Sequence, residues 1–153
     1  MAALLSPDRI EGRFLEDEHR RIRLGLEALE ESILELHRMT RTEVVERITR
    51  SLIWLRRDLL PHAAWEEAWI YPRLDLQTGS PWTTRALRIE HQQIRELAGL
   101  LETQFDEVHE RWSNKVAFNV VAALARLDAL ITSHFVKEER FVLPLLDSQA
   151  QEA

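Results

Sequence analysis

The chain has 153 residues, 45% apolar and 30% charged, with four glycines and five prolines. This suits one soluble domain built from long helices. The net charge is −6, and Lys and Arg are mixed with Glu along the chain. That argues against a nucleic-acid binder relying on a basic surface. There is no cysteine, which excludes disulfides, thiol nucleophiles, Fe–S clusters and Cys-based zinc sites.

The start "MAALLSPDR" lacks the basic opening of a signal peptide. No uninterrupted apolar run approaches the roughly 20 residues that span a bilayer. A cytoplasmic protein with no nucleic-acid or membrane partner is expected. Ser6-Pro7 reads as a cap followed by a first-turn proline, opening a helix A that runs to about Met39. "TRTE" at 40–43 is a turn with a Thr cap ahead of Glu. Helix B follows to about Ile70, where Pro72 is expected to end or bend it. Pro61 removes a hydrogen bond beside His62 and is a second place for a bend. "QTGSPW" at 77–82 is the strongest loop signal. Ser80-Pro81 then opens helix C, which reaches about Trp112. Ser113-Asn114 turns the chain into helix D, which runs to about Leu143. The domain is expected to span 1–147, with a frayed tail at 148–153.

A shift of 72 residues superposes much of the sequence on itself. "EH" at 18–19 meets "EH" at 90–91, His62 meets His134, and Glu66-Glu67 meets Glu138-Glu139. "PRLD" (72–75) meets "PLLD" (144–147), and all six histidines pair up. The pattern predicts an all-α, up-down-up-down antiparallel four-helix bundle with pseudo-two-fold internal duplication. In a helical hairpin, residues equidistant from the turn lie at one height. His19 and His62 are equidistant from the Thr40 turn, His62 and His91 from the edge of "QTGS", and His91 and His134 from Ser113. The four histidines are therefore expected in one layer.

Residues four apart on a helix lie about 40° apart on one face. His62 and Glu66 thus point together, as do His134 and Glu138. With His19 and His91 this gives four imidazoles and two carboxylates in one apolar layer. Such a set is costly when empty. Two metal ions satisfy it, and a donor set of N and O without thiolate suits iron or manganese, with zinc chemically compatible.

His19, His62-x-x-x-Glu66, His91 and His134-x-x-x-Glu138, each glutamate followed by an apolar-Pro segment, resemble the hemerythrin-like HHE domain family over residues 10–147. The resemblance implies a four-helix bundle around a non-haem di-iron centre, two iron ions with an oxo or hydroxo bridge. It implies that His19 and His62 hold one iron, that His91 and His134 hold the other, and that Glu66 and Glu138 bridge them. The oxygen carriers of the family have another histidine where this chain has Arg95, and an Asp, one residue later, where it has Glu138. The 4-His/2-Glu set is closer to the iron-repair and iron-sensing branches. The repair branch often carries a cysteine-bearing segment; with no cysteine in this chain, a repair role that needs thiols is not expected. A ferritin-like di-iron bundle needs Glu-x-x-His twice; Glu16-x-x-His19 fits, but Arg88 precedes His91.

The implied function is binding of, or reaction with, a small diatomic or peroxide ligand, in oxidative or nitrosative stress handling or sensing. A peroxide- or nitric-oxide-reactive oxidoreductase falls within this reading. The alternative is an iron sensor or store whose occupancy controls folding or a partner.

Around the six ligands, Glu67 and Glu139 are rotated by about 100° from the bridging positions. They either hydrogen-bond a ligand histidine or lie on a solvated face. Glu18 and Glu90, each just before a histidine, carry the same alternatives. Arg23 and Arg95 lean toward the ligand face, where they cover the site, pair with Glu67 or Glu139, or make ordinary surface pairs. Trp69 and Phe141, seven residues past His62 and His134, are expected to pack in the core and wall the pocket. Tyr71 is expected to be angled away. His37 and His109 lie about 27 Å from the site and read as surface or capping residues.

Overall fold

The computed structural model describes residues 7–148; the Ser6 cap and residues 149–153 lie outside them. The described residues form a helical bundle without strands. Helix α1 (Pro7–Glu35) ends in a 3-10 turn at Leu36–Arg38. The second long helix is continuous from α2 (Arg41–Trp54) through α3 (Leu60–Trp65) to α4 (Tyr71–Thr78), interrupted by π-helical turns at Leu55–Leu59 and Glu66–Ile70. The third is α5 (Arg85–Glu110). The fourth is α6 (Asn114–Lys137), a π turn at Glu138–Val142 and α7 (Leu143–Ser148). Helix α5 packs on α6 and α2, and α1 packs on α6, α7 and α2.

The punctuation follows local chemistry. The Thr40 hydroxyl accepts from the Glu43 N–H while the Glu43 carboxylate accepts from the Thr40 N–H, a complete capping box. The Ser113 side chain caps α6 by accepting from the Val116 N–H. Gly79, at φ 65°, closes α4 in the left-handed conformation that glycine adopts without penalty. Helix α5 begins at Arg85 rather than at Ser80-Pro81. The Asp75 carboxylate accepts from the Thr84 N–H and hydroxyl, and this long-range cap fixes the start of the helix.

Pro72 does not end the second helix. Each of Pro61, Pro72 and Pro144 stands two residues after a π turn. Proline donates no N–H and clashes with the carbonyl four residues back; the wider turn just before it slips the ladder to five-residue spacing. The Leu60 N–H reaches the Leu55 carbonyl and the Tyr71 N–H reaches the Glu66 carbonyl. The chain stays helical, but its register moves by about one residue.

This rotation corrects the expectation for Trp69 and Phe141. Both are 65% exposed and wall nothing, while Ile70, Tyr71 and Val142 turn inward. Two apolar clusters result. The larger includes Ile22, Leu59, Ile94, Ile131 and Phe135; the smaller comprises Leu15, Ile70, Tyr71, Leu74, Leu87, Val142 and Leu146. On every long helix the histidine lies between a member of one cluster and a member of the other, so the polar layer is sealed along the bundle axis.

The segment Asn114–Leu146 is long and apolar enough, by length and composition, to cross a membrane. It contains no uninterrupted apolar run of that length; mean hydropathy tolerates a few polar positions. Here Val116, Val120, Leu124, Leu127, Ile131 and Phe135 are spent on the bundle core.

Gly25 lets α1 accept the Trp54 indole. A Cβ there would lie 1.9 Å from Trp54 Nε1 and 2.2 Å from Cδ1. Gly25→Ala is therefore expected to destabilise by about 1–3 kcal/mol through overpacking, exceeding the gain in helix propensity of up to ~1 kcal/mol. Urea denaturation tests this; an unchanged midpoint would mean the indole moves aside freely.

Candidate metal centre

His19 comes from α1, His62 from α3, His91 from α5 and His134 from α6. Glu66 and Glu138 are the first residues of two π turns. All six are at most 4% exposed. Glu66 Oε1 lies 3.1 Å from His62 Nε2 and 3.7 Å from His19 Nε2, and its Oε2 lies 3.4 Å from His91 Nε2. Glu138 Oε2 lies 3.4 Å from His19 Nε2, and its Oε1 lies 3.3 Å from His134 Nε2. Each carboxylate thus turns one oxygen toward each histidine pair. The donors form two groups able to hold a cation, His19/His62/Glu66/Glu138 and Glu66/His91/His134/Glu138, which share both glutamates.

The electrostatics suit a cation. Burial opposes charging of His19, but the carboxylates of Glu138 and Glu66 close to its ring outweigh it and raise its pKa to about 9. His134 is raised in the same way, against burial, by Glu138 and Glu90. Burial pushes the Glu66 carboxyl up, but His19, His62 and His91 hold it well below the usual carboxylate range. Glu138 is lowered by His134 and His19 against burial and the Glu66 charge. Protons on His19 and His134 therefore stand in for metal charge. Both oxygens of Glu66, Glu138 Oε2 and both ring nitrogens of His19 and His62 are buried without a hydrogen-bond partner. Orphaned polar atoms of this kind are expensive, and a bound cation satisfies the inward-facing ones.

Outside this layer each imidazole presents Nδ1 to another carboxylate, and each of these carboxylates meets a cation. His91 Nδ1 donates to Glu67 at 2.9 Å, and Arg95 donates to the same oxygen at 3.1 Å. His134 Nδ1 donates to Glu90 at 3.0 Å, and Lys137 also binds Glu90. Glu139 lies 3.7 Å from His19 Nδ1 and accepts from Arg23 at 2.5 Å. Glu18 lies 4.0 Å from His62 Nδ1 and accepts from Arg21 at 2.8 Å. The last two histidine contacts exceed hydrogen-bond length, so the carboxylate support is tighter around His91 and His134. Glu18, Glu67, Glu90 and Glu139 thus face the histidines rather than solvent alone. Arg23 and Arg95 are spent on Glu139 and Glu67.

Tyr71 corrects its expectation most sharply. It is fully buried. Its hydroxyl donates to Glu138 Oε1 at 2.5 Å and lies 3.4 Å from His91 Nε2. Burial, with the charges of Glu66 and Glu138, pushes the phenol far above its usual pKa, so it is a donor. Lys137 and Arg21 were also missed by sequence reasoning. The signal for Tyr71 was Pro72, expected to end or bend the helix, which instead stands just past a π turn.

The family model for the hemerythrin HHE cation binding domain matches residues 12–146. The chain belongs to this family. Comparison with curated proteins and with solved structures gave no match. Membership of the HHE family brings metal-ion binding, and the two buried donor groups are where this HHE domain can provide it.

Proposed function

We propose that this HHE domain holds a carboxylate-bridged, non-haem di-iron centre that binds or reacts with dioxygen, peroxide or nitric oxide. His19 and His62 hold one iron, His91 and His134 hold the other, and Glu66 and Glu138 bridge, with an oxo or hydroxo bridge completing the pair. The observation that carries this is the pair of four-donor groups sharing both carboxylates. The recurrence of His, Glu and Arg contacts at a spacing of 72 supports an internal duplication in an up-down-up-down bundle. His19–Glu139–Arg23 is repeated as His91–Glu67–Arg95.

The protein's own groups do the preparation. Glu67 and Glu90 accept the Nδ1 protons of His91 and His134, which fixes the tautomer with the Nε2 lone pair inward and raises ligand basicity. The apolar clusters on either side exclude bulk water and large substrates. A cleft of about 420 Å³ on the outer side of the layer is lined by Glu16, His19, Arg20, Arg23 and Glu139, and this is the side from which a small ligand would approach. Bound iron supplies open coordination positions and redox electrons for the oxidant.

Iron-loaded protein is expected to contain two irons per chain, one for each donor group, by elemental analysis. A stoichiometry of one, or zinc that persists through iron loading, overturns the di-iron reading. Reduced protein mixed with air-saturated buffer is expected to oxidise without storing dioxygen, since Arg95 replaces a carrier histidine and is engaged by Glu67. Recovery of dioxygen under vacuum would restore a carrier role.

A further inference from the structure

We propose that Tyr71 is a positioning residue that makes the two cation positions unequal, its hydroxyl holding Glu138 on the His91/His134 side. This rests on the dinuclear reading above. Glu66 and Glu138 are counterparts under the 72-residue shift, yet their surroundings differ. Both oxygens of Glu66 lack a hydrogen-bond partner, whereas Glu138 Oε1 accepts from Tyr71 and only Oε2 is unpartnered. The counterpart of Tyr71 is Leu143, which has no hydroxyl. The asymmetry is therefore written into the sequence.

Tyr71 is held where it acts. Its ring stacks on His91 at 5.5 Å with 17° between planes. The Arg88 guanidinium lies over the ring at 5.2 Å. Arg88 is itself anchored, donating to the Thr84 hydroxyl at 3.2 Å and to the Glu67 carbonyl at 3.3 Å. Tyr71 thus contacts His91, a member of one histidine pair. Oε1, the oxygen it holds, is the one facing His134, while Oε2 faces His19. Fixing a ligating carboxylate by a hydrogen bond preorganises it. The benefit falls on the His91/His134 position, where Glu67 and Glu90 also make the shorter contacts.

The test uses cobalt(II), whose d–d absorption reports coordination without oxidant chemistry. Metal-free wild type titrated with cobalt(II) is expected to fill in two resolved steps. Tyr71→Phe keeps the ring and removes only the hydroxyl. It is expected to weaken one step by about 10–100-fold and to leave the other within about threefold. Equal weakening of both steps, or of neither, overturns the assignment. Wild type taking up fewer than two cobalt ions overturns the dinuclear reading itself, and this assignment with it.

A second measurement does not depend on the variant folding. Tyr71 is the sole tyrosine, so ¹³C at its Cζ gives one assigned resonance. That resonance is expected to shift when wild type is loaded with zinc; a resonance unmoved at saturation overturns the proposal.

Discussion

Glu66→Ala and Glu138→Ala are each expected to lose most of the bound metal, whereas Glu67→Ala keeps the stoichiometry and loses about 10–100-fold in affinity. The difference lies in how many donor groups each residue serves. Glu66 and Glu138 belong to both four-donor groups, so either substitution reduces both from four donors to three at once. Glu67 belongs to neither. It accepts the Nδ1 proton of His91 and the charge of Arg95, so its loss loosens one imidazole and frees one cation. Glu66 is also the group with no alternative partner, since neither of its oxygens is hydrogen-bonded within the protein. Elemental analysis after desalting, followed by competition with a chelator, separates the two cases. Equal loss at Glu66 and Glu67 would place the bridge one residue later than assigned.

What was legible in the sequence divides at the π turns. The pairs His62/Glu66 and His134/Glu138 lie just before or at the onset of a wide turn, where α-helical spacing still holds, and the i,i+4 argument places them together. Seven residues from the histidines the same argument fails, because one extra residue has entered the turn. Trp69 and Phe141 face outward, and Ile70, Tyr71 and Val142 take the inward places. The cap at Thr40, made by a neighbouring residue, was legible, and Ser113 was legible as a turn. The start of α5 was not, because its cap comes from Asp75, nine residues from Thr84. The glutamates beside the histidines stayed open for the same reason. Glu67 meets His91 and Glu90 meets His134, both across helices, and no pattern within one helix reports such a contact.

Removing the metal is expected to destabilise the protein, and by more as pH rises. A ligand that binds only the folded chain adds about 2.7 kcal/mol at a free concentration one hundred times its Kd. For a chain of this size that is roughly 5–10 °C in Tm per ion. The pH dependence follows from the metal-free site. His19 has its pKa raised from 6.5 to about 9 in the folded chain. Its protonation therefore adds stability that is fully present below 6.5 and is lost as pH rises through about 9. Glu66 works in the opposite sense. Its folded pKa is depressed below 4.5, so its contribution is present above 4.5 and is lost as pH falls through the depressed value. Metal-free protein should then be most stable between these limits and weaken toward alkaline pH, where unprotonated histidines face the buried carboxylates. Metal binding requires the unprotonated imidazoles and releases their protons, so the loaded protein gains where the metal-free protein loses. Thermal melts with iron and with chelator, taken from pH 6.5 to 9, should show the Tm difference widening. A constant difference across that range would mean that the metal binds away from His19, and no difference at any pH would mean that it binds on the surface.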